Sequence, residues 1–307
     1  MKKVIITGAN GFIGSALTNY FASKGIKVFA IVRNENSNIA RINKNENIDI
    51  IYCDLSEIVK LDELIFDRDI DVFYHLAWSG VADSNINKYN SQISNIKYTC
   101  ECVELCKKIC CKSFVFASSI WEYECYKTMN ELDPVKLSSL YSSAKIASNF
   151  MGRTLCNNYS IKYNSGIISN IYGAGETSTR LINTTIKKLL NNEETQFTDS
   201  RQTYDFIYID DAVKAFYNMG LYGVNNKSYY IGSLNPRPLK EFLYIIKNCI
   251  DDKIELGIGK SKQNGIYLDY NMFDLYAVKD DTGFEPKISF EEGINKTIEW
   301  IKSQKEL

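Results

Sequence analysis

The chain has 307 residues, 45% of them hydrophobic, enough to bury the core of one large α/β unit or of two smaller lobes. Its 36 basic and 37 acidic residues nearly cancel, which argues against nucleic acid or a membrane surface as a partner. We find no signal-peptide pattern, no apolar run of membrane-spanning length, and no paired extracellular spacing among the nine cysteines. We therefore expect a reduced, cytoplasmic protein.

Short β-type runs alternate with helical patterns in the first half of the chain, and this predicts an α/β, Rossmann-like doubly wound parallel sheet. The alternation stops after residue 168, so residues 169–307 are expected to form mainly a smaller C-terminal lobe. An Asn-rich tract at 34–47 is predicted to be an exposed loop and helix. The predicted strands are 4–7, 28–32, 48–52, 72–76, 114–117 and 163–168. The predicted helices are 12–23, 61–66, 93–110, 141–156, 179–190, 210–219, 239–249 and 290–302.

A glycine-rich turn follows the first predicted strand and opens the first helix. Gly8 allows a tight turn, Gly11 lets backbone approach a pyrophosphate, and Gly14 lets helix and strand pack closely. Since a helix N-terminus presents free N–H groups to an anion, the turn predicts a dinucleotide site. An ordinary glycine-rich turn is the alternative. The other residues of the turn expected to contact the cofactor are Asn10, Phe12 and Ile13.

The residues after the second and third strands bear on the choice of cofactor. An NAD site usually places an acidic residue after the second strand, whereas an NADP site uses an arginine near the 2′-phosphate. Arg33 stands there, which favours NADP(H), with NAD(H) as the alternative if Arg33 is a surface charge or stacks on adenine. Asp54 and Leu55 are placed to meet the adenine, although Asp54 is also typical of a helix cap.

A tyrosine and a lysine four residues apart, Tyr141 and Lys145, share one face of a predicted helix. A tyrosine with an unperturbed pKa of about 10 is a poor base at neutral pH, but a neighbouring cation favours its phenolate. Tyr141 could then exchange a proton with a sugar oxygen as hydride moves. Ser118 and Ser119 end an apolar strand at the sheet edge where ligands bind. Capping of that strand is the alternative role for the two serines.

With these motifs the chain resembles the extended short-chain dehydrogenase/reductase family of nucleotide-sugar epimerases, dehydratases and reductases. The resemblance implies that residues 1–168, with part of 204–232, bind the dinucleotide and that the second lobe binds a nucleotide sugar. It also implies that Ser119, Tyr141 and Lys145 are catalytic, that Tyr141 and Lys145 also contact the cofactor, and that Lys145 binds the nicotinamide ribose. By the same resemblance, Leu76, Ala77 and Asn95 are expected to contact the cofactor, and Asn170 is expected to contact the substrate.

The substrate site departs from the family pattern. Ile167 and Tyr204 stand where the family often has arginines, so a contact with the diphosphate is lost or moved. Trp78 and Ser79 are expected to line the hexose pocket, with Ser118, although the tryptophan could simply cover the strand edge. The candidates for a replacement cation are Arg180, Arg201 and Arg237, each of which could equally be a surface charge.

The absence of certain acid and base residues reduces the number of reactions that the chain could catalyse. Ile120 and Trp121 replace the acidic pair of the 4,6-dehydratases, and Glu122, one position later, is expected to face away from where the missing glutamate would sit. Dehydration is therefore not expected. The single histidine, His75, lies in a strand motif and is expected to be structural. Two reactions remain: reduction of a 4-keto, 6-deoxy nucleotide sugar by external NAD(P)H, favoured by Arg33, and C4 epimerisation with bound NAD. A dinucleotide-sensing protein without catalysis is the third alternative.

Three cysteines recur every four residues on one predicted helix: Cys102, Cys106 and Cys110. Their spacing does not suit a metal site, so no metal is expected and the stripe is predicted to be a buried face of small residues. In the resembling family this helix and the Tyr141 helix form a dimer interface. A homodimer is therefore expected.

Overall fold

The computed structural model describes residues 1–65, 67–81, 85–130, 139–262 and 267–304. The chain forms two compact units. The first contains Met1–Ile168, Val213–Tyr230 and Ala277–Phe284, and the second contains Ser169–Ala212, Ile231–Tyr276 and Glu285–Leu307. In chain order the strands are β1 (Lys3–Thr7), β2 (Lys27–Val32), β3 (Ile48–Tyr52), β4 (Val72–His75), β5 (Ser113–Ser119), β6 (Lys162–Ile168), β7 (Asn170–Tyr172), β8 (Thr203–Tyr204), β9 (Phe206–Tyr208), β10 (Lys227–Ile231) and β11 (Arg237–Pro238). The helices are α1 (Phe12–Ser23), α2 (Tyr89–Lys108), α3 (Tyr123–Asn130), α4 (Leu140–Asn158), α5 (Leu181–Leu190), α6 (Ile209–Tyr222), α7 (Leu239–Ile250), α8 (Ala277–Thr282) and α9 (Phe290–Ser303).

The first unit is built on a seven-stranded sheet with the order β10-β6-β5-β4-β1-β2-β3. Neighbouring strands from β6 to β3 pair in parallel. The apolar run Val4, Ile5 and Ile6 is completely buried, as expected for a parallel strand covered by helices on both faces. The predicted fold class, a Rossmann-like doubly wound sheet, is confirmed, and all six predicted strands are present.

Two secondary-structure predictions in this unit were wrong. Residues 34–47 contain no helix, because asparagine side chains accept hydrogen bonds from backbone two residues ahead, as Asn34 does from Asn36 and Asn38 does from Ala40. Such local bonds compete with helix formation. Instead of a helix at 61–66, a 3₁₀ segment spans Leu55–Glu63.

The core of the first unit includes a cysteine-containing face of α2. Cys102 and Cys106 are fully buried in a cluster with aromatic and aliphatic residues from β4, β5 and β6. Cys110 was predicted to continue this face, and that was wrong: it is exposed and adopts a left-handed backbone conformation with φ 54°. The helix ends at Lys108, so the four-residue period no longer applies at Cys110.

The second unit is small and has an aromatic core. The rings of Phe206, Phe242 and Phe290 pack together, with centroids between 4.7 and 5.7 Å apart. Asp211, buried near the start of α6, accepts backbone hydrogen bonds from Lys287 and Ile288, each 2.7 Å long, and so fixes the segment before α9. Among the residues described in either unit, no helix has both the length and the apolar character needed to span a membrane.

Candidate active site

The glycine turn between β1 and α1 forms a narrow backbone cradle. Gly8 has φ +68°, and a Cβ there would lie 2.9 Å from the backbone of Ala77, so only glycine fits. The Gly11 N–H donates to Gly8 O at 3.0 Å. Gly11 is the N-cap of α1 and supplies no side-chain cap, so the amides of the first turn can bind an anion. The turn therefore fits the diphosphate of a dinucleotide.

His75, at the end of β4, connects β1 to α2. Thr99 Oγ1 donates to Asn95 O at 2.9 Å, so it accepts from His75 Nε2 at 3.2 Å. Nδ1 then accepts from Thr7 Oγ1 at 2.9 Å, which fixes the tautomer. Burial, with a smaller contribution from the Lys145 charge, lowers the pKa of His75 to about 3. The ring is neutral, and its role is structural.

The loop after β4 is held by two buried amides of α2. Asn95 accepts from Ser79 N at 3.0 Å and donates to Ser79 O at 2.8 Å, while Gln92 accepts from Trp78 Nε1 at 3.1 Å and donates to Gly80 O at 2.9 Å. Asn95 thus orients the loop from a buried position, and its predicted cofactor contact stays a prediction. Sequence reasoning missed Gln92; its place one helical turn before Asn95 was the available signal.

Arg33 and Asp54, at the ends of β2 and β3, form an ion pair with Nε and Oδ2 3.7 Å apart. The Arg33 side chain is 66% exposed, so it is free to turn toward a ligand. Asp54 caps the 3₁₀ segment by accepting from Ser56 N and Oγ, and these hydrogen bonds lower the pKa of Asp54. Leu55 packs on the core. Asn10, from the glycine turn, donates to Asn38 O.

The end of β5 presents the two serines differently. Ser119 begins a short 3₁₀ turn, Ile120–Glu122, and its Oγ accepts the Trp121 N–H at 3.2 Å. Ser118 is 2% exposed and donates its hydroxyl to Glu122. The Ser118 side chain is therefore engaged inside the protein, and its predicted substrate contact stays a prediction.

Lys145 reaches from α4 to the same strand end. Its Nζ donates to Ala117 O at 2.8 Å, lies 3.7 Å from the centre of the Trp78 ring and lies 5.8 Å from the centre of the Tyr141 ring. The Trp78 and Tyr141 rings meet edge to face at 5.8 Å. Burial lowers the pKa of Lys145 to about 7, although the Glu122 charge raises it. Tyr141, Lys145 and Trp78 thus form one cluster at β5.

Sequence reasoning named Glu122 but gave it no role in this cluster. It is 3% exposed, and its carboxylate accepts from Ser118 Oγ and from Asn149 Nδ2, the latter at 3.0 Å. Burial raises the pKa of Glu122, whereas these hydrogen bonds and the Lys145 charge oppose that rise. Ser118 lies in β5 and Glu122 ends the 3₁₀ turn that follows it, so helical spacing gave no signal for this contact.

In the second unit, three of the predicted substrate residues lie around β8 and β9. Asn170 Nδ2 donates to Asp205 O at 3.1 Å, and the Tyr204 ring stacks on Phe206 with centroids 5.4 Å apart. Arg237 is the register partner of Tyr204 in the β11–β8 pair. By contrast, Arg180 and Arg201 are exposed, and Arg201 pairs with Asp199. The structure thus groups Asn170, Tyr204 and Arg237.

Residues 4–232 match the model of the NAD dependent epimerase/dehydratase family. The chain belongs to this family. Similar proteins cover nearly all of the chain: a putative UDP-glucose 4-epimerase of Methanocaldococcus jannaschii is 27% identical over 310 residues, with 98% of each chain covered.

Solved structures with the same fold include two with bound ligands. The UDP-N-acetylglucosamine 4-epimerase of Methanobrevibacter ruminantium, in complex with UDP-N-acetylmuramic acid, superposes with a TM-score of 0.83 at 23% identity and covers 99% of both chains. The Bordetella bronchiseptica enzyme WbmF, in complex with NADH, has a TM-score of 0.80 at 20% identity, with 99% of this chain and 93% of the other covered. These likenesses show the fold of the epimerase/dehydratase family.

Proposed function

We propose that this member of the epimerase/dehydratase family reduces a 4-keto, 6-deoxy nucleotide sugar with NAD(P)H. The observation that carries the proposal is the convergence of Lys145, Tyr141 and Trp78 on the strand end that carries Ser119. A phenol next to a buried amine, close to a hydroxyl and to a cradle for a diphosphate, has the groups needed to move a proton while hydride is transferred.

In this mechanism the bound dinucleotide supplies the hydride. Tyr141 donates its phenolic proton to the oxygen of the sugar ketone, and Ser119 donates a hydrogen bond to the same oxygen. Lys145, in its charged form, lowers the cost of the phenolate left on Tyr141 and binds the nicotinamide ribose. Ala77 and Leu76, after β4, line the nicotinamide pocket. All of these roles are proposals from the family motifs and the positions of the residues.

For the cofactor we propose NADP(H), with NAD(H) as the alternative. Arg33 stands after β2, where an acidic residue would otherwise bind the ribose 2′-hydroxyl, and its guanidinium is mostly exposed. The adenine would lie near Asp54 and Leu55. The family description and the NADH bound to WbmF support the alternative.

For the nucleotide sugar we propose candidate residues in each unit separately. Trp78, Ser79 and Ser118 are the candidates in the first unit. In the second unit we propose Asn170 and Tyr204. Arg237, beside Tyr204, is the best placed of the three candidate cations for a diphosphate, and the other two are Arg180 and Arg201.

C4 epimerisation with tightly bound NAD is the second candidate. It needs the same Ser119, Tyr141 and Lys145, and it is supported by the relatives named as 4-epimerases. Arg33 favours the reductase, because epimerases of this family typically carry the acidic NAD residue in its place.

We also propose that the chain is a cytoplasmic homodimer. Large apolar side chains are exposed on α2, where Tyr89 is 63% and Ile93 is 59% accessible, and on α4, where Phe150 and Met151 are nearly half accessible. Apolar side chains grouped on two neighbouring helices support a surface that a second copy of the chain covers.

One assay separates the two candidate reactions. The purified protein is incubated with NADPH or NADH and a panel of 4-keto-6-deoxy nucleotide sugars while cofactor absorbance is followed. Net oxidation of the cofactor by one of the sugars supports the reductase. Interconversion of C4 epimers without added cofactor, with NAD released on denaturation, would instead establish the epimerase and overturn the reductase proposal.

A further inference from the structure

Glu122 links the two elements that carry the proposed catalytic groups. One of its carboxylate oxygens accepts from Ser118 on β5, and the other accepts from Asn149 on α4. The carboxylate also receives a backbone hydrogen bond from Ser119. Asn149 is itself fixed, since Tyr163 on β6 donates to its Oδ1 at 2.8 Å. The carboxylate therefore fastens the strand end that bears Ser119 to the helix that bears Lys145.

The charge of Glu122 also acts on Lys145. Lys145 is 4% exposed, and its contacts are a carbonyl oxygen and the faces of aromatic rings. A buried ammonium with such partners loses its proton readily. Glu122 is the negative charge that opposes this loss. Among the described residues, the ionisable groups that face Lys145 or Glu122 from the elements packed against them are His75, Tyr141, Cys125, Tyr126 and Tyr163.

We propose that Glu122 is a positioning residue: its carboxylate joins β5 to α4 and keeps Lys145 in the charged form. The inference rests on the proposed function only where it gives Ser119 and Lys145 a part in hydride transfer. If Glu122 had a purely structural role, its hydrogen bonds to Ser118 and Asn149 would be sufficient. The positioning role also requires the negative charge of its carboxylate.

Four of the ionisable groups around the cluster are uncharged at neutral pH. His75 is neutral, since burial lowers its pKa to about 3. Burial raises the pKa of Cys125, Tyr126 and Tyr163 above their ordinary values, so these groups are uncharged at neutral pH. Among the described residues of the cluster, this leaves Lys145, Glu122 and Tyr141 as the ionisable groups that the titration has to separate.

The test compares Glu122→Gln with Glu124→Gln. Glu124 is a matched control because it is also a fully buried carboxylate that accepts a hydrogen bond from α4, from Ser142 Oγ at 2.8 Å. It does not contribute to the pKa of Lys145. The titration of Lys145 is followed by NMR in protein labelled with ¹³C at the lysine ε-carbon, with the Lys145→Met variant assigning the signal. No substrate is needed.

We expect the Lys145 midpoint to fall by about one pH unit or more in Glu122→Gln, because an opposing charge is removed, and to stay at the parent value in Glu124→Gln. Equal midpoints in the parent and Glu122→Gln, or an equal fall in both variants, would overturn the inference. Where an active substrate is found, the basic limb of kcat/KM should move in the same direction. A midpoint shift in a protein that turns over no nucleotide sugar would contradict the proposed function and leave the inference standing.

Glu122→Asp decides the matter if Glu122→Gln does not fold. This variant keeps the charge but shortens the side chain, so the hydrogen bonds to Ser118 and Asn149 are weakened. The Lys145 midpoint should stay within about half a unit of the parent value, while kcat falls about tenfold with little change in KM. If the Lys145 midpoint in Glu122→Asp instead falls by about one pH unit or more, as expected when the charge is removed, the positioning role is overturned.

Discussion

The Lys145 ammonium lies 3.7 Å from the centre of the Trp78 indole ring. The hydrogen bond from Trp78 Nε1 to Gln92 holds the indole in place, so the ring packs against the ammonium in a fixed orientation. The contact connects the loop after β4 with α4. It also places an aromatic ring beside the proposed proton donor, Tyr141.

Trp78→Leu should lower kcat/KM about tenfold or more, because a desolvated cation–π contact stabilises by about 2 kcal/mol. Steady-state kinetics with the substrate found in the panel, together with thermal unfolding, would measure this. Trp300→Leu, on α9 in the second unit, is the control and should leave kcat/KM at the parent value. Unchanged kinetics in Trp78→Leu would contradict a role for the ring.

Tyr141→Phe should reduce kcat by about a hundredfold to ten-thousandfold, since it removes the group that exchanges the proton. Cofactor affinity should stay within about threefold of the parent value, because the aromatic ring remains. Stopped-flow hydride transfer and fluorescence titration with the dinucleotide separate the two effects. Tyr222→Phe, at a side chain that is 60% exposed, is the control. A Tyr141→Phe protein that keeps its turnover would exclude this phenol as the proton donor.

Arg33→Ala should weaken NADPH binding about tenfold, because a charge-assisted hydrogen bond to the 2′-phosphate contributes about 1.5 kcal/mol. NADH binding should be unchanged, since NADH lacks that phosphate. Isothermal titration calorimetry with NADPH and with NADH measures the affinity of the parent and of the variant for each dinucleotide. Arg68→Ala, whose guanidinium bonds backbone carbonyls of its own loop, is the control. An equal loss for NADPH and NADH would refute the NADP(H) preference.

Gly8→Ala should abolish dinucleotide binding, whereas Gly25→Ala should not. Both glycines have positive φ, so both substitutions carry a backbone cost of about 1 kcal/mol. Only at Gly8 would the new Cβ meet backbone at 2.9 Å; at Gly25 nothing lies within 4 Å. Binding titrations and thermal unfolding of the two variants separate the effect of backbone strain, present in both, from the effect of the close contact at Gly8. Retained binding in Gly8→Ala would show that the turn is not the diphosphate site.

The protein should lose stability as pH falls below 6.5, because of His75. The folded state keeps this ring neutral, with a pKa of about 3, while the unfolded chain takes up a proton near its ordinary pKa of about 6.5. The unfolded state therefore binds more protons between these values, so stability rises with pH in that window. The loss between pH 6.5 and pH 4 should be on the order of 3 kcal/mol. Urea unfolding at several pH values measures it.

His75→Gln is the comparison for that pH series. Glutamine has no proton to take up in this range, so the slope of stability against pH should be shallower than in the parent, even though the variant starts less stable. Parallel slopes in the two proteins would show that other groups cause the acid sensitivity.

The sheet could be predicted from the sequence because its strands are continuous apolar runs bounded by turn residues. Val4 to Ile6 is one such run, and it is fully buried. Errors arose where side chains bond local backbone. Asn34 and Asn38 stabilise turns in place of the predicted helix, and Cys110 lies beyond the end of α2. Periodicity alone does not reveal where such local bonds end a helix.

The proposed site was only partly visible in the sequence. Ser119, Tyr141 and Lys145 could be picked out because motif spacing places each at an element end or on one helix face. Glu122 could not be assigned in the same way, because its partner Asn149 is 27 residues away. That contact depends on how α4 packs against the end of β5, which is a tertiary relationship.

The hydrogen bond from Trp121 N–H to the Ser119 hydroxyl oxygen sets the polarity of that hydroxyl. With a backbone donor on one lone pair, the oxygen already accepts on its protein side and keeps its hydrogen available to donate. That hydrogen can be donated to an oxygen that only accepts, such as a carbonyl oxygen. The main chain thereby occupies one acceptor position of the hydroxyl before any ligand arrives.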